Sequence, residues 1–330
     1  MKKLFKWIGS LLLIAIIALL ALGYTPDTDP AAMRAKYASP ASKFVAVGGG
    51  LAMHVRDEGK PDGPVLVLLH GSNASLHTWE PLVERLKGKY RIISLDQIGH
   101  GLTGPNPTGQ YDGLAFVGTL NTLLGKLGVN RFALAGNSMG GYVAWEYALA
   151  YPGKLTHLIL IDAAGPPDDP NKDLPIGFRI ARMPGISKLA QVITPRSVFE
   201  KSLHGSVANQ SIVTPEMIDR YWELNRYPGN RAATGARFAQ YANRARNVGA
   251  LGQITTPTLI LWGAEDKLIP VSGADWFAAR IPGSIRIIYP GIGHIPMEEA
   301  PDRTAADLDA FLSKPFPSPA NQPNVAATSR

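Results

Sequence analysis

Cysteine is absent from all 330 residues of the chain, which excludes disulfides, thiolate metal sites and a cysteine nucleophile. Also missing is any run of Lys or Arg interleaved with aromatics, so nothing marks a nucleic-acid surface. Long apolar runs are equally scarce. The exception is Trp7 to Leu22, inside MKKLFKWIGSLLLIAIIALLALGY. Preceded by Lys2, Lys3 and Lys6 and closed by Tyr24, it reads as a signal anchor or a cleaved signal peptide spanning residues 1–24. Positive charge ahead of it places the rest of the chain outside the cytoplasm. That means membrane-anchored on the periplasmic side, or secreted if cleavage occurs at Ala21-Leu22-Gly23.

What the sequence does hold is apolar enough, at 45% hydrophobic residues, for one large domain with an insertion. The net charge of +7 is uneven: twelve Lys and Arg face seven Asp and Glu between Pro166 and Ala250. A solvated basic face explains this, with contact to anionic lipid or an acidic substrate as the alternative.

Residues 25–43 are polar and Pro-rich and read as a tether. KFVAV and LAMHVRDEG then flank Gly48 to Gly50 as an antiparallel hairpin. PVLVLLHG, YRIISLD, RFALAGNS, LTHLILID, TPTLILWG and SIRIIYPG are short and almost unbroken, as in strands buried on both faces of a parallel sheet. Helical spacing fills the gaps between them, in TWEPLVERLKGK, AFVGTLNTLLGKLG, MGGYVAWEYALAYP and PDRTAADLDAFLSK. This alternation predicts an α/β fold with a doubly wound, mostly parallel sheet. Core segments are expected over residues 44–165 and 251–312, interrupted at 166–250 by a helical cap, with Thr214-Pro215 starting one of its helices. Residues 313–330 read as a disordered tail.

In LAGNSMGGYVAW a strand gives way to a helix at Ser138. So sharp a turn holds its central residue at positive φ and leaves no room for neighbouring side chains, which Gly136 and Gly140 satisfy; Gly141 lets the helix approach the sheet. A serine hydroxyl is a weak nucleophile and needs a base with its own orienting group. His294, between the last strand and the last helix, reaches the same edge of the sheet as Ser138. Asp266, in the loop of LILWGAEDKLIP, is the orienting acid, preferred over Glu265 beside it. Asp162 is a further acid at a strand end, read as a partner for loop amides beneath the cap.

HGSNASLHTW, DQIGHGLTG, GNSMGG, WGAEDKLIP and GIGHIPMEE, in that order, resemble the α/β-hydrolase fold superfamily, specifically its cap-bearing members with a Ser-Asp-His triad. The resemblance runs from Phe44 to about Leu312. It implies an oxyanion hole from the backbone N–H groups of Met139 and Ser72, with Gly71 as the less favoured second donor. It implies structural roles for His70 and His100. The expected activity is that of a carboxylesterase or lipase acting on a small-molecule or lipid-derived ester through an acyl-enzyme, with no metal or organic cofactor. Epoxide hydrolases and haloalkane dehalogenases share the fold but use an aspartate where this chain has Ser138. A carbon-carbon hydrolase of a diketone is the alternative, although HGSNAS and Ile295 depart from that class's glycine-rich oxyanion loop and its tryptophan after the histidine. Halide peroxidation and a non-turnover ligand receptor or scaffold complete the alternatives.

Overall fold

A computed structural model describes Trp7 and residues 23–166, 191–242 and 247–314. Strands β1 (Ser42–Gly48) and β2 (Leu51–Gly59) form an antiparallel hairpin. Gly48, Gly49 and Gly50 turn it at φ of 97°, 60° and 79°. Strands β3 (Val65–Leu69), β4 (Arg91–Leu95), β5 (Phe132–Asn137), β6 (Leu155–Ile161), β7 (Thr258–Gly263) and β8 (Ile285–Tyr289) follow. Together they make one eight-stranded sheet in the order β1-β2-β4-β3-β5-β6-β7-β8. From β4 to β8 every pairing is parallel. This is the expected doubly wound α/β fold.

Alternate residues of the inner strands feed two cores, one on each face. Val67, Leu69, Phe132, Leu134, Ile260 and Trp262 pack into one, and Leu66, Leu68, Ala133, Ala135, Leu259 and Leu261 into the other. Double-sided burial explains why these strands read as continuous apolar runs rather than alternating ones. Strand β8 departs from that expectation. At the sheet's edge it has a neighbour on one side only, and Ile285 is exposed.

Helix α1 (Pro30–Tyr37) lies within residues 25–43, which instead of a loose tether form a docked segment. Asp29 caps it by accepting from Ala32 N at 2.7 Å, and Met33 and Tyr37, one turn apart, are buried. The core helices are α2 (Glu80–Leu86), α3 (Gly113–Lys126) and α4 (Met139–Ala150). Between β6 and β7 come α5 (Arg196–Ser206), α6 (Pro215–Asn225) and α7 (Asn230–Ala242). Thr214 caps α6 through Met217 N at 3.2 Å. Helices α8 (Ser272–Ala278), α9 (Pro296–Glu299) and α10 (Pro301–Leu312) complete the order.

Docking of the N-terminal segment is polar as well as apolar. The Tyr37 hydroxyl donates to Glu223 Oε2 at 2.7 Å, and Arg231 pairs with Asp27 at 2.7 Å. No described helix is long and apolar enough to cross a membrane. The expected anchor, apart from Trp7 and residues 23–24, lies outside the described residues, as do residues 167–190 of the expected cap and 315–330 of the expected tail.

Candidate active site

Ser138 directly follows β5 and caps α4 with φ 54° and ψ −117°. It is one of three described non-glycine residues at positive φ, with Asn73 at 60° and Asp162 at 44°. All three follow the carboxyl ends of parallel strands, where such sheets bind ligands. The flanking glycines are dictated by contact. A Cβ on Gly136 would lie 2.2 Å from Gly140 O, and one on Gly140 would lie 2.1 Å from Leu69 O. A Cβ on Gly141 would meet that of Ala163 at 2.4 Å, so α4 rests directly on the segment after β6.

His294 and Asp266 are brought together. The His294 Nδ1–H donates to Asp266 Oδ2 at 2.7 Å, and both residues are buried. Asp266 Oδ1 accepts from Leu268 N at 2.7 Å and Ile269 N at 3.0 Å, which fixes the carboxylate and leaves Nε2 of the ring facing away from it. Ser138 Oγ makes no hydrogen bond among the described residues. Asn137 links the two loops instead: its Nδ2 donates to His294 O at 2.9 Å and Ile161 O at 3.2 Å.

The loop after β3 closes the other side. A Cβ on Gly71 would lie 3.1 Å from Ser138 Cβ, so Ser72 follows a residue in contact with the serine. Met139 is the first residue of α4 and its N–H therefore has no acceptor within the helix. His70 holds this loop: its Nδ1–H donates to Gly71 O at 2.8 Å and its Nε2 accepts from Gln97 N at 3.0 Å. Burial depresses its pKa, which favours the neutral ring this pattern needs. His100 is also buried and donates to Ile98 O at 3.0 Å.

Asp162 carries a third buried carboxyl. Its Oδ1 accepts from Gly263 N at 2.9 Å, while Oδ2 finds no hydrogen-bond partner among the described residues. Its ligand-capable oxygen, one of Asp266 and a ring nitrogen of His294 lie within 4.8 Å of one another. Burial and then the Asp266 charge push the Asp162 carboxyl well above the usual range. Although these three residue types can ligate a cation, His294 Nδ1 is already a donor to Asp266 and offers no lone pair in that tautomer.

Two further groups had no distinguishing signal in the sequence. Glu299, within GIGHIPMEE, accepts from Gly293 N at 2.8 Å, Ala208 N at 2.9 Å and Asn209 N at 3.0 Å. His294 N donates to Ser206 O at 2.8 Å, so the end of α5 is stitched to the histidine loop. Glu298 accepts from Thr78 Oγ1, Tyr221 OH and Arg220 Nη2 at 2.5, 2.9 and 2.7 Å, joining α6 to the core.

Residues 64–301 match the model of the alpha/beta hydrolase fold family. The chain belongs to this family. It is 28% identical over 280 residues to an uncharacterised protein of Mycobacterium tuberculosis, covering 81% of each chain. It is also 28% identical over 272 residues to a 2-hydroxy-6-oxononadienedioate/2-hydroxy-6-oxononatrienedioate hydrolase of Cupriavidus pinatubonensis, covering 77% of this chain and 89% of the other. Among solved structures, a bacterial membrane phospholipase A, described as a virulence factor, superposes with a TM-score of 0.73 at 27% identity, over 94% of this chain and 98% of that one.

Proposed function

We propose that this hydrolase cleaves carboxylic esters with Ser138 as nucleophile, His294 as general base and Asp266 as the acid that orients it. The observation that carries this is the strained Ser138 elbow joined through Asn137 to a buried His294–Asp266 pair at 2.7 Å. His294 Nε2 takes the proton of Ser138 Oγ as the oxygen bonds to the carbonyl carbon. Charge on the tetrahedral oxygen falls to the N–H groups of Met139 and Ser72. The imidazolium returns the proton to the departing alkoxide, and water, deprotonated by the same ring, releases the acid and regenerates the serine.

Similarity to a protein described as a membrane phospholipase A supports an ester substrate of lipid origin, and the apolar run Trp7 to Leu22 behind Lys2, Lys3 and Lys6 supports a membrane anchor with the catalytic domain outside the cytoplasm. The Cupriavidus relative supports carbon-carbon bond hydrolysis as the second reading. Hydrolysis of p-nitrophenyl esters from acetyl to palmitoyl, beside a 2-hydroxy-6-oxodienoate, separates the two. Ester turnover that falls about 10⁴-fold or more in Ser138→Ala is expected. Turnover of the dienoate alone would move the reading to the carbon-carbon class.

A further inference from the structure

The described buried arginines are not alike. Arg56 pairs with Glu80, Arg231 with Asp27 and the half-buried Arg220 with Glu298, each at 2.7 Å. Arg237 of α7 is equally buried, yet no carboxylate among the described residues pairs with it. Its Nη1 donates to His100 Nε2, and its Nη2 lies 3.5 Å from Asn73 Oδ1. His100 spends its Nδ1–H on Ile98 O and is held neutral, so both acceptors are uncharged. Burial, opposed only by Tyr111, lowers the guanidinium to about 10, so it remains a cation at neutral pH. Tethering α7 to this loop needs only a neutral donor. A buried cation with donors to spare and no counter-ion calls for an anion from elsewhere.

Its position says which anion. Asn73, strained at φ 60°, directly follows Ser72, and the same Asn73 Oδ1 accepts from Thr234 Oγ1 of α7 at 3.2 Å. The guanidinium therefore lies against the loop that begins at Gly71, where an added Cβ would come within 3.1 Å of Ser138 Cβ. We propose that Arg237 recognises an anionic oxygen group of the substrate, a carboxylate or a phosphate, held close to the scissile carbonyl. This rests on the Ser138 chemistry above and narrows its substrate to acidic esters. The basic excess between Pro166 and Ala250 acts in the same direction by drawing such molecules toward the cap.

The test uses the full chain in detergent, with wild type, Arg237→Gln and Arg237→Lys compared at equal folded fraction by melting. Three substrates are turned over: p-nitrophenyl butyrate, p-nitrophenyl hemisuccinate and a short-chain phosphatidylglycerol. In Arg237→Gln, kcat/KM for an acidic substrate is expected to fall about 50-fold, with butyrate within threefold and part of the loss restored in Arg237→Lys. The acidic substrate that suffers tells carboxylate from phosphate. An equal fall on all three, or none, overturns the proposal. Titration of Ser138→Ala with glutarate and with glycerol phosphate gives a readout free of turnover. Saturable binding of one anion that Arg237→Gln abolishes supports the proposal even if no ester is hydrolysed, in which case the ester reading alone fails. Binding of neither anion overturns it.

Discussion

Asn73, Ser138 and Asp162 each hold backbone that side-chain-bearing residues rarely adopt, and each follows the carboxyl end of a different parallel strand. Strain of this kind persists only where the surroundings over-determine it. For Ser138 the surroundings were legible in the sequence, because three glycines in a short window have few other uses. For Asp162 they were not. Its environment depends on Gly263 and Asp266, about a hundred residues away, which no local pattern reports. A carboxyl raised by burial binds its proton in the folded state at pH values where the unfolded chain has lost it. The folded state then holds more protons than the unfolded one above the ordinary carboxylate range, and Asp162 makes stability fall as pH rises through that window. Asp162→Asn is neutral throughout. Compared with wild type it should gain stability between pH 5 and pH 8, as read by urea midpoints at the two values. An identical pH dependence in both proteins would mean Asp162 is ionised in place.

Elements bring these residues together, and their tolerance to change follows from contact. Gly140 packs its Cα against Leu69 O, so a methyl group there meets backbone that has no side chain to move aside. Gly140→Ala is expected to cost about 3 kcal/mol in chemical denaturation; a cost below about 1 kcal/mol would show that α4 can slide. Glu299 acts between elements, drawing Gly293 of the histidine loop and Ala208 and Asn209 of the cap onto one carboxylate. Glu299→Ala should speed amide exchange at all three N–H groups by about tenfold or more, since each loses a charge-assisted acceptor. Unchanged exchange would show that other contacts hold the cap. The strand segments and the helix start at Thr214-Pro215 were readable because they are local. Asp29-Pro30 carried the same cap signal, but its helix is short and its anchoring partners, Glu223 and Arg231, lie nearly two hundred residues on.

Across the whole molecule, buried histidines set the response to acid. His70, His77 and His100 are all pushed below their ordinary value by burial, His77 to about 4. Each stays neutral in the fold while the unfolded chain takes up a proton below about 6.5. The unfolded state then binds more protons, so stability rises with pH up to about 6.5 and is lost as pH falls from there toward 4. The melting temperature should drop by roughly 5 °C or more between pH 6.5 and pH 4.5. A flat profile would mean the three rings accept protons without leaving the fold.

All of the proposed chemistry depends on Ser138 being the reactive atom. The most direct measurement is the intact mass of the protein after treatment with a fluorophosphonate, followed by peptide mapping, beside Ser138→Ala. One adduct is expected, located on Ser138 and absent from the variant. A folded protein that takes up no adduct, or takes it up on another residue, would contradict it.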